Sequence, residues 1–204
     1  MKPVSPCFVV FEGLDGVGKS VSARATAEAL QALYMTTPSE SVRQYRESLI
    51  KSLGDCQEAH QLFYLATVFS ASREVDALLR TGRSVVLDRY FLSTQAYADF
   101  RGSVLRIDDV QQHLRPADVT VLLEAPLEVR RARISQRGGS AADGETLRSD
   151  ADATLRATHV ARAQLPVIGR LLRIDTSVST PQDVVASVLA ALGHAGSAGL
   201  RRST

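Results

Sequence analysis

Gly13-Leu14-Asp15-Gly16-Val17-Gly18-Lys19-Ser20 satisfies the spacing G-x-x-x-x-G-K-[ST]. Each fixed position has a chemical reason. Glycines allow backbone conformations that turn successive N–H groups inward around a chain of phosphates. Lys19 can reach the β- and γ-phosphates of ATP, and the Ser20 hydroxyl can ligate the accompanying Mg2+. Val21 continues into a helix whose positive end further stabilises the anion. Gly13 to Val21 is therefore the candidate ATP-binding set. Lysine is scarce, with only Lys2, Lys19 and Lys51 in the chain, which weighs against reading Lys19 as surface decoration on a plain glycine turn. A dinucleotide loop fits worse, because Gly16-x-Gly18 needs a third glycine where Val21 stands.

A second cluster, Asp88-Arg89-Tyr90, follows an apolar run. Phosphoryl transfer to a phosphate oxygen needs no general base, since a phosphomonoester is largely dianionic at neutral pH (second pKa about 6). It needs positioning, and cations around a transition state with charge spread over its equatorial oxygens. Arg89 can hold an acceptor phosphate bidentately, and Asp88 can hold magnesium through water. A solvated strand end is the plain alternative. Arg130, Arg133 and Arg137, spaced i, i+3, i+7, share one helical face, from which a closing lid could bring one or two onto the transferred group. A solvated basic helix has the same pattern.

Net charge is +2, too small to argue for nucleic acid or an anionic membrane surface. Cys7 and Cys56 have neither disulfide-framework nor zinc-type spacing. The run from Cys7 to Phe11 is too short for a signal-peptide core, and no stretch approaches the ~20 apolar residues of a membrane span. These features predict a cytoplasmic protein.

The elements that must position these groups are legible as alternating periods. Cys7 to Phe11, Ser84 to Leu87, Val119 to Leu123 and Leu172 to Ile174 read as strands, with a short extended piece from Tyr34 to Thr36. Helical patterns cover about Ser20–Ala32, Ser41–Leu53 and Glu58–Arg80. The last helix starts at the Thr180 cap with Pro181 and Asp183 and runs to about Leu192. Strands separated by helical crossovers predict an α/β fold, a doubly wound parallel sheet of about five strands with helices on both faces. The expected organisation is one domain over 1–192, with a lid at about 137–149 and a frayed tail over 193–204. Gly138 to Gly144 has no apolar periodicity and reads as a mobile flap.

FVVFEGLDGVGKS, with an acidic residue before the first glycine and Asp15 within the loop, resembles the thymidylate kinase family of P-loop nucleoside monophosphate kinases. LDRYFLSTQAY, Leu87 to Tyr97, is similar to that family's second signature. The spacing from Phe63 to Asp88, and the arginine-rich helix entering a lid at Arg130 to Arg148, extend the likeness. The resemblance implies ATP- and Mg2+-dependent phosphorylation of a nucleoside monophosphate, dTMP first. It also implies a homodimer formed near residues 58–80. Its catalytic set would be Lys19, Arg89, Asp15, Arg133 and Arg137, with the assisting arginine in the lid because Val17 fills the loop position. Phe63 would stack on the base, with Thr67, Arg89, Thr94, Gln95 and Tyr97 around the acceptor and Ser20 and Asp88 at the metal.

Helical spacing places Phe63, Thr67, Ser70 and Glu74 on one stripe, opposite a core stripe of Leu62, Leu65, Ala66 and Phe69. Two departures bear on the acceptor. The family has arginine where Thr67 stands, and commonly an Arg-Glu-Pro-Gly-type segment where this chain has Thr36-Thr37-Pro38-Ser39-Glu40. Both remove positive charge from the acceptor side. A kinase of a nucleoside or other small metabolite stays open as an alternative. So does a nucleotide switch, since Asp99-Phe100-Arg101-Gly102 fits D-x-x-G, though no N-K-x-D follows.

Overall fold

The structure is a computed structural model that describes residues 5–138 and 141–193, with 141–143 described by backbone only. Alternation begins with β1 (Phe8–Gly13), α1 (Lys19–Leu30), β2 (Leu33–Thr36), α2 (Glu40–Arg43), α3 (Arg46–Ser52) and α4 (Gln57–Arg80). It continues through β3 (Val85–Asp88), α5 (Phe91–Phe100), β4 (Val119–Glu124), α6 (Leu127–Gln136), α7 (Ala141–Thr146), α8 (Ser149–Ala161), β5 (Arg170–Asp175) and α9 (Pro181–Ala191). The five strands are all parallel, in the order β2-β3-β1-β4-β5.

Strand residues alternate between two cores, as the period of two requires. Phe8 and Val10 face Leu65, Val68 and Val75 of α4 and Phe91 of α5. Val9 and Phe11 face Ala23 and Ala27 of α1, Leu155 of α8 and Val184 and Val188 of α9. β1 therefore lies at the centre of the sheet with helices on both faces, and its carboxyl end runs into the glycine loop. Thr180 caps α9 as expected, accepting from the Asp183 N–H while the Asp183 carboxylate reaches back.

Three expectations are corrected. The buried positions of α4 include Gln61, Leu65, Val68, Ser72 and Val75, whereas Leu62 is 52% exposed and Ala66 is also exposed, so the expected core stripe is rotated. The helix expected over Ser41–Leu53 is two short helices, α2 and α3, with no buried residue in either. The segment 138–144, expected as a mobile flap without periodicity, runs into helix α7, and the Leu147 carbonyl just after that helix is gripped by Arg131 at 2.7 and 3.0 Å. Gly139 and Ser140 of that flap, and the tail from residue 194 on, lie outside the described residues. Among the described residues, no helix is long and apolar enough to cross a membrane.

Candidate active site

The loop after β1 is shaped by glycines that nothing else could replace. At Gly13 (φ +131°) an added Cβ would stand 2.3 Å from the Leu123 carbonyl oxygen, and at Gly16 (φ +84°) 2.9 Å from that of Arg130. Leu14 and Val17 are buried, so they offer the site backbone only. Lys19 is just 7% exposed, donates to the Leu14 carbonyl at 2.7 Å and stands 3.9 Å from the Asp15 carboxylate. Burial, aided by the Arg89 charge, pushes its pKa down to about 8.

Ser20, one residue on, donates to Asp88 Oδ2 at 2.6 Å, and Tyr34 donates to the same oxygen at 3.2 Å. Asp88 Oδ1 is buried without a hydrogen-bond partner among the described residues. A hydroxyl beside a carboxylate with an uncommitted buried oxygen fits a magnesium ion that takes its other ligands from phosphates and water.

Asp88 ends β3, and Arg89 turns the chain with φ +71°. A left-handed arginine costs on the order of 1–3 kcal/mol, so its surroundings must over-determine it. Its N–H donates to the Phe11 carbonyl at 2.9 Å, and its own carbonyl accepts from Thr37 Oγ1 at 2.6 Å. The buried Glu12 carboxylate accepts from the backbone N–H groups of Tyr90 (3.1 Å), Leu92 (3.0 Å) and Ser93 (3.2 Å), and from the Ser93 hydroxyl. Thus turned, the Arg89 guanidinium pairs with Asp15 and stands 5.5 Å over the Tyr97 ring, while the Tyr97 hydroxyl donates to Asp15 at 2.7 Å. Burial opposes ionisation of Asp15, but Arg89 and Lys19 hold its carboxyl well below the usual carboxylate range.

Two cavities meet at this point. One, of about 540 Å³, lies over the glycine loop and is lined by Asp15 to Ser22, Arg133, Arg137, Thr176 and Pro181. The other, of about 440 Å³, runs between α4 and α5 and is lined by Thr36 to Pro38, His60, Gln61, Tyr64, Thr67, Thr94, Tyr97 and Arg101. Asp15, Ser20 and Arg89 line both.

Of the arginines on α6, Arg130 does not face a cavity. It is fully buried, its Nε donates to the Asp15 carbonyl at 2.6 Å, and it pairs with Asp152 of α8. It holds the loop from beneath, because α6 docks there with its Arg130 backbone against Gly16. Arg133 donates to the carbonyls of Gly16 (3.3 Å) and Thr176 (2.7 Å) at the wall of the loop-side cavity. Arg137 lines the same cavity, near enough for its charge to act on Asp15.

On the other side, Thr67 lines the α4–α5 cavity with its hydroxyl turned to the Tyr64 carbonyl at 2.7 Å. Thr94 and Tyr97 face it from α5. Phe63 does not line the cavity; its ring packs edge-on against Tyr64, which takes the wall position, because α4 is rotated from the expected stripe. Gln95 is also off the cavity, buried and accepting from Gln61 at 2.7 Å. Sequence reasoning missed Arg43, Arg46, His60 and Arg101, all cavity-lining. Arg43 folds back onto Thr36 Oγ1 at 2.7 Å, so the charge absent from Thr36–Glu40 returns from α2.

The Thymidylate kinase family model matches residues 11–187. A probable thymidylate kinase of Archaeoglobus fulgidus is 28% identical over 147 residues, 64% of this chain and 70% of the relative. The thymidylate kinase of Leptospira borgpetersenii is 28% identical over 158 residues, 72% of this chain and 77% of the relative. Among solved structures, thymidylate kinase from Candida albicans superposes with a TM-score of 0.71 at 21% identity, covering 93% of this chain and 92% of its own. With its glycine loop, its Asp-Arg-Tyr turn and the helices between them all inside the matched span, the chain belongs to the thymidylate kinase family.

Proposed function

We propose that the protein transfers the γ-phosphoryl group of ATP to a nucleoside 5′-monophosphate, with dTMP as the leading acceptor, releasing ADP and the nucleoside diphosphate. The observation that carries this reading is the meeting of the two cavities at Asp15, Ser20 and Arg89. A triphosphate over the glycine loop and a monophosphate between α4 and α5 would present their reacting ends to one another there.

In this reading the loop N–H groups and Lys19 hold the β- and γ-phosphates, and Arg89 exchanges Asp15 for the acceptor phosphate. Ser20 and Asp88 would hold Mg2+, which supplies charge neutralisation between the phosphates. Arg137 and Arg133 stand at the loop-side wall, where a cation would meet the charge developing on the transferred group. Phosphorylation of a nucleoside hydroxyl fits less well. It calls for a base, yet Glu12 is committed to four donors and Asp15 to Arg89, Lys19 and Tyr97. A switch role through Asp99 fits less well too, because its carboxylate is taken by Arg162 at 2.6 Å.

The exposed Leu62 and Ala66 on α4 support a homodimer through that helix. A cytoplasmic setting suits ATP chemistry. The test of the function is a coupled assay with ATP, Mg2+ and a panel of monophosphates and nucleosides. Turnover of at least one monophosphate, well above any nucleoside, is the expected result. Turnover of nucleosides alone overturns the reading.

A further inference from the structure

Glu12 belongs to no substrate cavity, yet more of the strand-end turn depends on it than on any other side chain described there. It sits on β1 one residue past Phe11, the register partner of Asp88, so its side chain lies level with Arg89, where β3 has stopped. It shares a sheet face with Phe8 and Val10, the face that α5 covers. The first N–H groups of a helix lack intrahelical partners, and the N-cap of α5, Tyr90, offers no capping side chain. Glu12 fills that role from another strand. An ionised carboxylate is acceptor-only with about four lone-pair sites, and four donors converge on it: three backbone N–H groups of residues 90–93 and the Ser93 hydroxyl.

Arg89 lies between two fixed points as a result. Behind it, the Phe11 carbonyl holds its N–H; ahead of it, Glu12 holds the N–H of the next residue, Tyr90. A left-handed non-glycine residue persists only where its neighbours are constrained in this way. We propose that Glu12 is the positioning residue of the acceptor-phosphate site: by capping α5 from β1 it fixes the backbone of Arg89, and so aims the guanidinium at the junction of the two cavities. The proposal rests on the acceptor role of Arg89 given above.

The test uses Glu12→Gln and Ser93→Ala, with Arg89→Ala as control. Glutamine keeps the shape but turns an NH2 group toward donors. Binding of dTMP and of thymidine is measured by calorimetry, and KM for ATP by coupled assay. Thymidine lacks the phosphate, so the ratio of the two affinities reports the phosphate's share. The ratio should fall about tenfold or more in Glu12→Gln and about threefold in Ser93→Ala, with KM for ATP within about twofold. A general structural role predicts instead that ATP and dTMP parameters worsen together, and that result overturns the proposal. If Glu12→Gln does not fold, Ser93→Ala makes the same comparison, and an unchanged ratio there overturns it. A ratio lost in Arg89→Ala but kept in both other variants removes only the role of Glu12. A ratio kept in Arg89→Ala, or no dTMP binding by the unmodified protein, removes the assignment of the site and the proposal with it.

Discussion

Arg89 donates to the carboxylate of Asp15, joining the turn after β3 to the phosphate loop across 74 residues of sequence. The pair stands where the two cavities meet, and the Arg89 side chain is about a quarter exposed there. An arriving phosphate dianion can therefore take over the guanidinium without first dismantling the fold. Asp15 keeps the Tyr97 hydroxyl and the nearby Lys19 when that happens, so this half-buried carboxylate is not left alone.

Lys19→Ala is expected to abolish phosphoryl transfer while leaving the fold intact. The ammonium donates to one backbone acceptor, Leu14, and its loss would remove the cation that the proposed reading sets on the β- and γ-phosphates. Turnover by purified mutant, checked beside its circular dichroism, decides the matter. Unchanged turnover would contradict the proposed chemistry at its centre.

Arg89→Ala should lower kcat/KM for the acceptor by about thirty- to a thousandfold, equivalent to about 2–4 kcal/mol for a bidentate charged contact. KM for ATP should change far less, because in the proposed reading the triphosphate is held by the loop N–H groups and Lys19 and not by Arg89. Equal losses for both substrates would make Arg89 a structural residue.

ATP affinity should weaken as pH rises through about 8, where the free Lys19 loses its proton. Bound phosphates favour the charged lysine, so the complex holds a proton that the free protein has given up. The sign follows: affinity falls with rising pH, by at most about tenfold per unit for one proton. In folding the same group acts in the other sense. Between about 8 and the 10.5 of an ordinary lysine the unfolded chain binds the proton more tightly, so this lysine makes the fold relatively more stable as pH rises across that window. Titration calorimetry across that range, with Lys19→Arg as a control whose affinity should stay flat, checks the binding half.

Arg130→Met should destabilise the protein by about 3–5 kcal/mol, the usual cost of removing one partner from a buried pair. It strips a donor from the Asp15 carbonyl and a cation from Asp152, although Arg156 still reaches that carboxylate at 2.8 Å. Urea unfolding measures the loss. A change under about 1 kcal/mol would mean that Arg156 alone satisfies Asp152.

The loop and the sheet were legible because their signals are local. Glycines at fixed offsets and apolar runs bounded by turns need no knowledge of what packs where. The face of α4 was not legible, and the reason is chemical. Two of its buried positions are polar: Gln61, bonded to Gln95, and Ser72, which accepts from the Arg115 N–H at 2.8 Å. A stripe judged by hydrophobicity alone turns away from such residues, so it takes Leu62 and Ala66 as core where the structure exposes them. Arg130, Arg133 and Arg137 share a helical face in sequence, but only the docking of α6 under Gly16 separates the buried arginine from the two at the cavity. Arg43 reaches the site from the end of α2 by folding back onto Thr36, a placement that the single helix expected over Ser41–Leu53 does not give.

Thr67 bears most directly on which acceptor the cavity selects. It lines the wall of α4 with its hydroxyl already committed to the Tyr64 carbonyl, so as it stands it offers the acceptor little beyond a methyl group. The cation on the facing wall is Arg101, 5.7 Å over the Tyr97 ring, which can approach a base from the side of α5. Strong discrimination among bases needs a buried polar partner that the wrong base leaves unpaired. With no such partner at position 67, dTMP should not be preferred over every other monophosphate by more than about a hundredfold, the reach of one good polar contact. Thr67→Arg adds a long planar donor on the α4 wall itself, and should shift preference toward dTMP. Competition among dTMP, dUMP, dCMP and dGMP in one reaction, for both proteins, measures the ratio directly. Strong dTMP selectivity in the unmodified protein, lost when the arginine is introduced, would show that the base is read elsewhere, with the wall opposite Thr67 and its Arg101 as the next place to substitute.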